Sequence, residues 1–176
     1  MAAIGSGGTV IALAAALVAV AASCTVPQAE AALQQSLVYD AFDSRSGPFG
    51  WRFLNESKCT DAALALLVAY AAANESRLTR EQRLELAFHS GQVLAFAGRE
   101  SEALPYFERA TNAEATPEWH TYVAATTAFL KHDLPGLAAA RDAYATLAPG
   151  SMRLRIVDGF VACPNKPYSA AAHCRM

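Results

Sequence analysis

The sequence predicts an all-α chain, a stack of antiparallel helical hairpins behind a signal peptide. Three observations carry this. Residues 61–73 are almost entirely alanine and leucine, both strong helix formers. Leu84, Phe88, Val93 and Leu94, with Ala87 and Gly91, fall on one stripe at helical spacing. Capping and stop residues recur between such segments, and no long β-branched run competes. Helices of roughly 12 to 17 residues on short loops cannot each bury an apolar face alone, so they must pair as hairpins.

Each element has its own local reason. Thr60 is placed to cap a helix over 61–73, and Asn74, Glu75 and Ser76 break it. Thr79 opens the next helix, with Gln82 three residues on as a capping box, and Gly98 stops it. A helix over about 100–111 turns Ala103, Leu104, Phe107 and Ala110 inward, with Pro105 in its first turns. Thr116, Pro117 and Glu118 give a cap, a preset first helical residue and an acid at the positive helix end. That helix runs to about Lys131; Asp133 caps another, closed by Pro149 and Gly150. Residues 151–162 fit both periods. The helical reading is chosen, with Met152, Ile156, Val157 and Phe160 inward.

Length and charge bound the function. The chain has 176 residues, 53% of them hydrophobic, with 14 basic and 16 acidic side chains. That suits one domain. It excludes a strongly basic nucleic-acid binder and a charge-driven disordered chain.

Residues 9–22 carry no charge over 14 positions, too few for a membrane span of about 20 and right for a secretory h-region. Ala29, Glu30 and Ala31 form an A-x-A-like cleavage site, so the mature chain is expected to start at Ala32. The expected divisions are a leader over 1–31, a helical cap with an aromatic loop over 32–58, hairpins over 59–148, and a helix with a Cys-bounded loop over 149–176. Ala21, Ala22, Ser23 and Cys24 resemble a bacterial lipoprotein signal, with Ala21 where that family usually has Leu. The resemblance implies lipidation of Cys24 and a membrane-anchored alternative. Three cysteines remain after a cut at Ala31, so one pair closes at most. Cys163 and Cys174 enclose a short loop and are the expected disulfide. Neither they nor His173 stand in a paired metal-ligand motif, and no metal or cofactor is expected.

Gly91 and Leu94, then Ala103, Phe107 and Ala110, separated by Gly98, resemble a tetratricopeptide repeat. Small residues at Gly91 and Ala103 let two helices approach, and Phe107 fills the groove between them. Ala63 with Leu67 and Ala140 with Tyr144 echo the step at 40 and 37 residues from Ala103, against about 34 in the family. Ala87 stands where the family commonly has Trp. On this reading Gly91 tolerates alanine but no bulky residue. The resemblance implies a protein or peptide partner; with the leader over 1–31 that partner is expected in the cell envelope, periplasmic or secreted, and no catalysis is expected. Arg83, Gln92 and Tyr122, off the stacking stripe, are the expected contact residues. Trp51, in an aromatic stretch over 43–53 with Phe49 and Phe53, either caps the core or joins that surface.

Catalytic sets are not apparent. His89, His120, His132 and His173 are scattered and are expected to be solvated or locally bonded. No nucleophile elbow, phosphate loop or dinucleotide fingerprint occurs. A lipid-anchored envelope-assembly subunit and a small exported hydrolase are the alternatives.

Overall fold

A computed structural model describes residues 24–45, 47–113 and 115–175; the apolar leader stretch lies outside them. The described residues form ten α-helices and no strand: α1 (Gln28–Ser36), α2 (Tyr39–Ser44), α3 (Trp51–Glu56), α4 (Thr60–Ala73), α5 (Arg80–Phe96), α6 (Glu100–Arg109), α7 (Pro117–Leu130), α8 (Leu134–Leu147), α9 (Met152–Ala162) and α10 (Tyr168–Ala171).

The caps do what their chemistry requires. Thr79 Oγ1 accepts from the Gln82 N–H at 3.2 Å, while Gln82 Oε1 accepts from the Thr79 N–H at 2.9 Å. Thr116, Asp133 and Ser151 accept from the N–H groups of Trp119, Gly136 and Leu154. Gly98 and Gly150 take φ of 76° and 74°, a backbone only glycine enters without strain. Thr60 differs from expectation. It is the first helical residue of α4, whose N-cap is Cys59 and has no side-chain cap bond.

Short connections force neighbours to lie antiparallel, so α5 pairs with α6 and α7 with α8. The helix α5 is buried on two sides. Leu86 and Val93 join a cluster with Phe42, Trp51, Leu54, Leu67 and Tyr70. Phe88, Leu94 and Ala95 join a second with Phe107, Tyr122, Phe129, Tyr144 and Phe160. Phe107, Ala103 and Ala110 are fully buried. A methyl group added at Gly91 would stand 3.0 Å from two Phe107 ring carbons, so alanine is not freely tolerated there. The last large helix, α9, is helical as read, with Val157 and Phe160 buried and Ile156 against the core as expected; Met152 alone departs. Leu154 is buried, whereas Met152 is 54% exposed, because α7 and α8 both pack on α9 and select the face.

Two disulfides cross-link the fold, between Cys163 and Cys174 and between Cys24 and Cys59. The second replaces the odd count expected from a cut after Ala31. That position lies inside α1, so the division there cuts through a helix. Here the Cys24 sulfur is taken up in the bond to Cys59. The entropy model of loop closure gives about 4 kcal/mol for this cross-link and about 3 kcal/mol for the shorter one.

Candidate functional site

Three segments distant in sequence meet in a cleft of about 380 Å³. One wall is α3 and the turn after it. Gly50 precedes α3, and a side chain there would strike the Arg45 carbonyl, which fixes how Trp51 enters the core. At the far end of α3 the Cys59 N–H reaches back to the Leu54 carbonyl at 2.8 Å. That closure puts Lys58 at φ 62°, left-handed backbone that costs a side chain about 1 kcal/mol. Lys58 is exposed at the rim, and no carboxylate pairs with it among the described residues.

The floor comes from the second half of α5: Gln92, Val93, Phe96 and Ala97. The other wall is α10 with His173. Tyr168 anchors this wall in full burial, its ring 5.2 Å from Phe96 and 5.3 Å from Phe160. Its N–H donates to Glu100 Oε1 at 3.1 Å, and Gln92 Nε2 donates to its hydroxyl at 3.4 Å. Burial pushes the Tyr168 phenol up to about 12, with the Gln92 bond pulling the other way. His173 lies 2.8 Å from the Ser169 carbonyl through Nδ1; a carbonyl only accepts, so Nδ1 carries the hydrogen and Nε2 is left for another partner. Each wall is stapled beside its polar rim residue: Cys59 follows Lys58, and Cys174 follows His173.

Behind Trp51 lies a polar array. The His89 imidazole stacks on the indole at 4.9 Å, and the Arg52 guanidinium covers the indole at 4.2 Å. Asp43 ties the two together, with Oδ1 3.2 Å from His89 Nδ1 and Oδ2 accepting from Arg52 Nη2 at 2.7 Å. Burial alone would raise the Asp43 carboxyl, but the His89 and Arg52 interactions outweigh it and hold it below its ordinary value. The His89 side chain is 16% exposed: of the two states expected from sequence, solvated or locally bonded, it is held locally, beside Asp43.

The expected contact residues divide. Trp51 and Gln92 line the cleft, Trp51 while also sitting in the core at 4% exposure. Trp51 is thus part of the core and reaches the cleft, whereas Phe53 is 37% exposed. Arg83 does not share the site. Nine residues before Gln92, it points about half a turn away on α5, and its Nη1 donates to the Leu78 carbonyl at 2.6 Å. Tyr122 is a correction: it is 2% exposed, in ring contact with Phe88, Trp119 and Tyr144, because α7 is covered on the face chosen from helical phase. Lys58 and His173 were missed. Their cysteine neighbours were the only local signal, and a signal of a cross-link rather than a cleft.

Among the described residues no group of three His, Cys, Asp or Glu side chains is placed to hold a metal ion, and no helix is long and apolar enough to cross a membrane. No protein-family model matches the chain, and no curated protein or solved structure proves similar to it.

Proposed function

We propose that this chain is an exported interaction module of the tetratricopeptide type, which holds a short anionic peptide segment in the cleft between α3, α5 and α10. Lys58 carries the reading: an unpaired cation held in left-handed backbone at the rim of a concave, apolar-floored cleft. Residues kept in such conformations concentrate at binding sites. Lys58 meets a carboxylate at the rim, Phe96 and Ala97 receive an apolar side chain beside it, and His173 Nε2 on the opposite wall accepts from a peptide N–H. The hairpins α5/α6 and α7/α8, with Gly91 against Phe107, support the repeat-like stacking. The two disulfides support folding in an oxidising compartment. No chemistry is assigned to His89, which Trp51 and Asp43 occupy.

The test is a fluorescence titration with a panel of short peptides, each pairing an apolar residue with a C-terminal or side-chain carboxylate, with Trp51 as reporter. Binding that weakens at least tenfold in Lys58→Ala or Gln92→Ala, and not in Arg83→Ala, supports the site. Equal affinity in all three variants refutes it.

A further inference from the structure

The position of Cys24 bears on how the leader is removed. Residues 24–45 are an integral part of the fold. Cys24 is bonded to Cys59, which is 3% exposed. Val26 and Leu37 pack on the core cluster around Phe42 and Tyr70. Within α1, Gln34 is fully buried and donates to Glu30 at 2.8 Å, and Glu30 also holds the Arg45 guanidinium at 2.6 Å. Asn74 Nδ2 donates to the Gln35 carbonyl at 2.9 Å, and the Tyr70 hydroxyl to the Leu37 carbonyl at 3.0 Å. A cut after Ala31 would discard Cys24, Val26 and Glu30. It would leave a buried Cys59 thiol without its partner and an Arg45 guanidinium without its carboxylate.

A second A-x-A triplet precedes all of these residues: Ala19, Val20 and Ala21. It stands at the end of an uncharged run beginning at Thr9, which leaves ten residues over 9–18 for the h-region, within the usual range. We infer that the leader is cleaved between Ala21 and Ala22, so that Cys24 is retained and serves as a disulfide cysteine rather than a lipid anchor. This rests on the export reading above. Cleavage hydrolyses the Ala21–Ala22 amide, with one water yielding a carboxylate on the leader and an amine on Ala22. Forming the cross-link takes two protons and two electrons from the Cys24 and Cys59 thiols. A thiol-disulfide oxidoreductase of the exporting compartment accepts them, its own disulfide becoming two thiols. Lipidation would consume the same Cys24 sulfur in a thioether, so the two fates exclude each other.

The experiment is intact mass spectrometry of the full chain made in a secreting bacterial host, alkylated before and after reduction, with a non-reducing peptide map. The expected product begins at Ala22, takes no alkyl group before reduction and four after it, and yields a peptide containing Cys24 joined to one containing Cys59. Ala21→Arg should accumulate precursor, while Ala31→Arg should be processed like the wild type. A product beginning at Ala32 with Cys59 alkylated without reduction overturns the inference and leaves export standing. So does an acylated amino-terminal Cys24. An uncleaved chain in all variants overturns export and the cleavage site together.

Discussion

Substituting Gly91 by alanine tests the helix–helix contact at the centre of the fold. In an exposed helix interior this change stabilises by about 1 kcal/mol, since glycine carries the larger backbone entropy cost. Here the added methyl would lie 3.0 Å from Cε2 and Cζ of Phe107 and 3.1 Å from Cδ2, inside the optimum of roughly 3.5–4.0 Å. The ring has little room to yield: Phe107 is fully buried, with Phe88 at 5.0 Å and Tyr168 at 6.4 Å. Overpacking of this kind costs about 1–3 kcal/mol. The sum is a net loss of about 1 kcal/mol for Gly91→Ala. In a Phe107→Ala background the clashing atoms are gone, and the same change should stabilise by about 1 kcal/mol. The expected coupling is therefore about 2 kcal/mol. Urea unfolding of the four proteins, disulfides intact and at constant m, measures it. A Gly91→Ala protein stabilised equally in both backgrounds would show that α5 and α6 do not meet through Phe107.

Other outcomes follow from the same contacts. Phe107→Ala should cost about 3–5 kcal/mol, and a loss below about 1 kcal/mol would place the ring at the surface. At Gly159 an added methyl would strike the Ala171 carbonyl, so Gly159→Ala should destabilise by about 1–3 kcal/mol despite better helix propensity and should weaken peptide binding by loosening α10; a stabilised variant would contradict the docking of α10 on α9. Lys58→Gly should relieve about 0.5–1 kcal/mol of backbone strain while weakening peptide binding tenfold, and a less stable variant would refute the strained rim. The Asp43 carboxyl is held below its ordinary value of 3.8, so the unfolded chain binds the proton more tightly than the native one. Its contribution is fully present above that value and is lost as pH falls through the lowered one. Wild type should then lose more stability than Asp43→Asn between about pH 6 and pH 3, and parallel losses in denaturant titrations would remove this role.

Cap bonds span three residues, so Thr79, Thr116 and Asp133 announce their helices whatever packs around them. The same locality made the link between Cys163 and Cys174 legible, since a short loop keeps its ends close. Gly91 and Phe107 were legible as partners because one tight turn joins their helices. What a helix faces is another matter. Helix α4 is alanine-rich and apolar on most sides, and in α7 and α9 periodicity alone settled neither the phase of Tyr122 nor whether Met152 or Leu154 turns inward. The docking of α8 on α9 decided the latter. Arg83 and Gln92 both lie off the stacking stripe by sequence, yet only the placement of α3 and α10 puts Gln92 in a cleft and leaves Arg83 outside it. The partners of His89 and Cys24 come from segments that are remote in sequence and become neighbours only when α2 and α1 settle on α5 and α4. Local propensity is settled within a turn of helix. A cleft assembled from three separate segments depends on their docking angles, which no single stretch of sequence encodes.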